Sequence, residues 1–175
     1  EHLVAHYLEN ISLHRGLYPS LHGLRVGVAT NVIKAMYDRF LKNIEHFDWE
    51  KVKYNQNKSG VIEKLENSFG SLFPFIKEEA KYKIETNVFK NINPSLINPL
   101  ILKQALIEKL SPIPDPSKTL KRARIPFLFR DLGFPPDLVR DAFLYSRFMR
   151  KRVTILDLID EAGLLNEYLD DALEL

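Results

Sequence analysis

The long apolar segment that follows Gly23 constrains this chain more than any other stretch. Val26, Ala29, Ile33, Met36 and Phe40 recur at three-and-four spacing, and Val28, Val32 and Ala35 form a second apolar stripe beside them. Two stripes leave little of a helix's circumference for water, so the segment predicts a helix buried over most of its surface and covered by other helices. No stretch alternates apolar and polar residues with period two, and no internal repeat stands out. The fold class that follows is all-α, a helical bundle.

The residues ahead of this segment carry the chemistry. Three of the five histidines, His2, His6 and His22, fall in the segments 1 to 6 and 21 to 30. His2 and His6 are four apart, so on a helix their side chains stand one above the other, about 5 to 6 Å between Cβ atoms. A turn at Gly16 to Pro19 then delivers His22 to the N-terminal end of the buried helix. A divalent metal such as zinc takes neutral imidazole, and a catalytic zinc site uses three protein ligands with one position open. Glu1 and Glu9 are the nearest carboxylates, and both read equally well as solvated helix charges. The spacing matches neither a zinc finger nor His-Glu-x-x-His, so histidines satisfied by ordinary hydrogen bonds are the commoner outcome for such a pattern.

Two segments carry a resemblance. Glu1 to Leu8 with His22 to Thr30 (His-Gly-Leu-Arg-Val-Gly-Val-Ala-Thr) resembles the metal-site segments of sn-glycerol-1-phosphate dehydrogenases, in the superfamily of iron-containing alcohol dehydrogenases and dehydroquinate synthase. Arg147 to Leu158 looks like their C-terminal Arg-x-Arg-Tyr-Thr-x-Leu-Asp segment, with Val153 in place of the tyrosine. The resemblance implies that His2 and His22 are metal ligands and that His6 binds substrate. It implies the helical metal-binding domain of an enzyme whose nucleotide-binding N-terminal domain is absent from residues 1–175. The activity implied is NAD(P)-dependent reduction of dihydroxyacetone phosphate to glycerol 1-phosphate. A divalent metal would assist, zinc first and nickel or iron as alternatives, in a cytoplasmic homo-oligomer. The alternatives are another member of the superfamily, a glycerol dehydrogenase or 3-dehydroquinate synthase-like protein, or a non-enzymatic helical binding module. Because Glu1 opens in mid-helix, the chain is expected to be a fragment without dehydrogenase activity. Two imidazoles without a carboxylate are expected to hold metal only weakly.

Composition agrees with one globular domain. The chain has 175 residues, 45% of them hydrophobic, and a formal charge of +2, too small to demand a polyanionic partner. There is no cysteine, hence no disulfide framework or thiolate ligand. No apolar run reaches the roughly 18 residues of a membrane span. Two basic clusters, Lys118 to Arg124 and Arg147 to Arg152, with Phe127, Phe129 and Phe148 interleaved, offer a nucleic-acid-binding face as an alternative. Solvated helix faces are the simpler reading, and no nucleic-acid partner is expected.

Three regions follow: metal-site helices at 1–42, a variable helical region at 43–111 and C-terminal helices at 117–175. Residues 42 to 60 are polar, with Phe47, Trp49 and Val52 as anchors of a short helix or surface excursion. Two short helices broken near Pro74 suit 61 to 90. A helix to 110 is expected to use Leu100, Gln104, Ile107 and Leu110 as its stripe, and Ser117 is expected to cap the next helix at Lys118. Pro136 marks a helix start, Thr154 with Asp157 a capping box, and Gly163 a helix end.

Overall fold

The computed structural model describes residues 1–54, 59–86 and 89–173, the side chains at 53 and 54 excepted. It is all-helical, and no strand occurs among the described residues. In chain order the α-helices are His2–His14 (α1), His22–Asn43 (α2), Trp49–Tyr54 (α3), Val61–Phe69 (α4), Lys77–Glu85 (α5), Pro99–Leu110 (α6), Pro116–Arg122 (α7), Pro136–Tyr145 (α8), Ile155–Glu161 (α9) and Leu165–Leu173 (α10). No helix among the described residues is long and apolar enough to cross a membrane.

The α2 helix is the axis of the bundle. Only Gly23, Asp38 and Lys42 within it are exposed, as the double stripe requires. Val28, Ala29, Val32, Met36 and Phe40 are its buried line, while Val26, Ile33 and Ala35 are partly covered. Helices α1, α7 and α10 pack directly against it, and α8 lies against α1. Val4, Tyr7, Leu8 and Ile11 of α1 join Leu138, Val139, Ala142 and Phe143 of α8 in one hydrophobic cluster with the α2 line. Phe47 and Val52 are buried anchors and Trp49 packs half-buried on the cluster, joined to Phe40 by edge-on ring contacts. Residues 55 to 58 of that polar stretch lie outside the described residues.

Local chemistry sets most helix ends. A 3-10 turn at Gly70–Phe75 containing Pro74 separates α4 from α5. Asn98 caps α6 by accepting from the backbone N–H groups of Leu100 at 3.0 Å and Ile101 at 3.2 Å. The α6 stripe differs from the expected one. Leu100 and Ile107 are exposed, and Leu102 and Leu106 meet the core instead, on the side where Lys103 pairs with Glu45 at 3.1 Å.

The α7 helix begins two residues earlier than expected. Pro116 takes the first helical position, where its missing N–H costs nothing. Asp115, not Ser117, is the cap, accepting from the Lys118 N–H at 3.0 Å, and that bond holds its carboxyl below the usual carboxylate value. In α9 the backbone N–H and the hydroxyl of Thr154 both donate to the Asp157 carboxylate at 2.8 Å. Gly163, at φ 74°, ends that helix in the left-handed region that glycine adopts without strain.

Candidate metal centre

His2, His6 and Glu9 follow one another at four and three residues along α1, which places them on one face. The α1–α2 loop brings His22, the first residue of α2, across from that face. The ring centroids of His2 and His22 are 5.8 Å apart, and those of His6 and His22 are 4.9 Å apart. His22 therefore stands near both other imidazoles, though the ligand atoms that come within 4.8 Å of one another are those of His6, Glu9 and His22. Each imidazole keeps solvent access, with side-chain exposures of 62%, 49% and 39% for His2, His6 and His22. His14 and His46 do not join them. His46 is exposed near α3, and His14 sits beside the Ser71 hydroxyl at 3.3 Å.

Glu9 is more than a solvated helix charge. Its Oε1 lies 2.9 Å from Nη2 of Arg25, and its Oε2 lies 3.5 Å from Nδ1 of His6 and 3.7 Å from Nδ1 of His22. Glu1 is the neighbour of His2, with Oε1 at 3.2 Å from Nδ1.

Arg25 is the residue that sequence reasoning missed. Its side chain is 1% exposed. It falls on the buried line of α2, three and four residues ahead of Val28 and Ala29, so a charged residue on an apolar stripe was the available signal. A buried guanidinium must be paired. Arg25 satisfies this with Glu9 and by donating to the Ser20 carbonyl, in the loop just before His22. One side chain thus ties the ligand face of α1 to the segment that positions His22.

The donor chemistry fits a divalent transition metal. Imidazole nitrogens and a carboxylate are the ligand types of catalytic zinc, and the cluster is open on its solvent side. Glu9 places a carboxylate within the chain beside two of the imidazoles.

The second segment behind the resemblance is buried at Arg147 to Met149 and at Leu156 and Asp157, and exposed at Arg150 to Val153. Arg147 lies in a 3-10 turn after α8, 6% exposed, and donates to Asp160 at 2.6 Å, with Asp157 at 3.4 Å. Phe129 and Phe148 are buried and Phe127 is partly covered, with the Lys121 ammonium 4.7 Å from its ring centroid. The two basic clusters therefore do not present Arg147 or the interleaved Phe129 and Phe148 to a ligand. A cavity of about 230 Å³ lies between this turn and the start of α1, lined by Glu1, Leu3, Tyr37, Arg147 and Thr154 among others. Burial in this region pushes the Tyr37 hydroxyl above its ordinary value of 10.0.

No family model matches the chain, and no curated protein or solved structure matches it.

Proposed function

We propose that this chain is the metal- and substrate-binding helical part of an NAD(P)-dependent dehydrogenase. The particular activity is that of an sn-glycerol-1-phosphate dehydrogenase, reducing the ketone of dihydroxyacetone phosphate. The observation that carries this reading is the approach of His2 and His6 to His22 on a solvent-open face, from two helices whose sequences resemble the metal-site segments of that family.

In this reading His2 and His22 hold the ion and a carboxylate from outside the chain completes the set. A bound divalent metal supplies Lewis-acid polarisation of the substrate carbonyl. His6, one turn along from His2, is placed to hydrogen-bond a substrate oxygen. The Arg25 link between Glu9 and the Ser20 carbonyl keeps His6 and His22 at a set separation, which matters because small misplacements of positioned groups cost large factors in rate. Tyr18 and Leu21, 99% and 76% exposed in the loop leading to His22, offer apolar surface for a nucleotide-binding domain to cover. NADH or NADPH would be held by that domain.

The test uses the chain joined to its nucleotide-binding domain, with His2→Ala and His22→Ala together. The expected result is loss of bound metal, measured by elemental analysis, and of dihydroxyacetone phosphate-dependent oxidation of NADH or NADPH. Unchanged metal content in the double variant removes the reading.

A further inference from the structure

We infer that the cavity walled by α2, α8, α10 and the 127–134 segment binds a small monocarboxylate with an aryl or alkyl body of roughly seven carbon atoms. None of the residues lining it belongs to the histidine face of α1 and α2, and the inference does not rest on the dehydrogenase reading.

The walls set the size and the apolar character of the ligand. Val28 and Val32 stand one turn apart on α2, Val139 faces the cavity from α8, and Phe129 and Phe134 close it from the segment between α7 and α8. That segment is held by its own contacts. The N–H of Phe134 donates to the Phe129 carbonyl at 3.4 Å, Gly133 turns the chain at φ 77°, and the two rings meet edge-on with centroids 6.3 Å apart. Each of these apolar side chains is buried, so the walls are in place before a ligand arrives and little ordering is left to oppose binding. Such walls offer water few partners and a hydrocarbon body contact on several sides. The volume is about 220 Å³. At about 30 Å³ for each non-hydrogen atom, the share a water takes in the liquid, this holds about seven of them.

Charge sets the other end of the ligand. Asn31 and Arg130 line the same cavity. Asn31 stands between Val28 and Val32 on α2, and its amide makes no hydrogen bond among the described residues. Arg130 is 81% exposed, and its ionic partner among the described residues is Asp131, whose Oδ1 lies 3.9 Å from Nε. That separation is beyond hydrogen-bond range, so the guanidinium fork is free to take a carboxylate through two parallel N–H···O bonds. The adjoining cavity, which shares Asn31 and Phe127, holds Lys34 and Lys121 with Asp38 and Asp115. Its acids and bases balance, which leaves Arg130 to decide the sign of the ligand. One guanidinium matches one carboxylate, whereas a phosphate dianion asks for more positive charge than this mouth supplies.

The experiment is titration of the purified 175-residue chain with phenylacetate, octanoate and the neutral phenylethanol, followed by backbone amide chemical shifts in NMR spectra. The expected result is saturable one-to-one binding of both carboxylates, with the largest shifts at residues 28–32 and 127–134. Replacing octanoate by hexanoate should weaken binding about fifteenfold, at about fourfold for each methylene. Arg130→Gln alters an exposed side chain and leaves the core alone. It should weaken phenylacetate about fivefold and leave phenylethanol within about twofold. Val139→Phe fills the cavity and should abolish binding of both carboxylates, with circular dichroism showing that the helices are kept. Should that variant fail to fold, Arg130→Gln still decides. Tighter binding of phenylacetate identifies an aryl body and tighter binding of octanoate an alkyl one, and either supports the site. Absence of saturable shifts, or shifts centred elsewhere in the molecule, overturns the inference. So does an Arg130→Gln variant that binds phenylacetate unchanged or loses phenylethanol equally.

Discussion

Lys83 of α5 meets Asp157 of α9 across 74 residues of chain, its Nζ at 2.8 and 2.9 Å from the two carboxylate oxygens, with both side chains buried. Nζ also donates to the backbone carbonyls of Arg147 at 2.7 Å and Arg152 at 2.9 Å. Asp157 in turn accepts from Thr154 and stands 3.4 Å from Arg147. One ammonium thus fastens α5, the 3-10 turn after α8 and the start of α9. The segment Arg147 to Leu158 is held in shape from beneath by a lysine that sequence reasoning would place in water.

Removing one partner of a buried ion pair leaves the other charged and unpaired, at a cost of about 3 to 5 kcal/mol. Lys83→Met and Asp157→Asn should each lower stability by about that amount in urea denaturation, and the double variant by much less than the sum of the singles. An additive double variant would mean that the two residues are not coupled.

Tyr7 shares a hydrogen bond with the Ser68 hydroxyl, linking α1 to α4. Burial pushes its phenol up to about 12, the Ser68 bond opposing that shift in part. The folded value lies above the ordinary 10.0, so Tyr7's contribution to stability is complete below pH 10 and is lost as pH rises through about 12. Tyr7→Phe should cost about 1 kcal/mol at neutral pH through the lost hydrogen bond. It should also flatten the fall in stability between pH 10 and 12, measured by thermal melts across that range.

Asp141 of α8 is held above the ordinary carboxylate value of 3.8, first by burial and then by Asp137 one turn before it. A folded value raised in this way gives stability that is full below pH 3.8 and is lost as pH rises through the folded value. At neutral pH the Asp141 carboxylate therefore works against the fold. Asp141→Asn should raise the melting temperature at pH 7 and make no difference well below pH 3.8. An equal gain at both pH values would place the effect in packing instead of charge.

Helix positions and ends were largely legible in the sequence, because the interactions that set them span four residues or fewer. Pro136 at the first turn of α8, the Thr154–Asp157 pair and Gly163 all stand where their local chemistry requires. The α6 face was not legible. Leu100, Ile101, Leu102, Leu106 and Ile107 give that helix apolar residues on both sides, and only packing against the core selected Leu102 and Leu106.

The candidate centre divides in the same way. The i, i+4, i+7 spacing of His2, His6 and Glu9 by itself determined that they share one face of α1, and the double apolar stripe determined that α2 is buried. Only the tertiary structure decided that His22 closes on that face, that Arg25 lies buried against Glu9, and that Lys83 and Arg147 leave the solvent for Asp157. The physical reason is range. Helical periodicity is set by backbone bonds four residues long, whereas pairing of a buried charge depends on which distant carboxylate the packing of the core brings within reach.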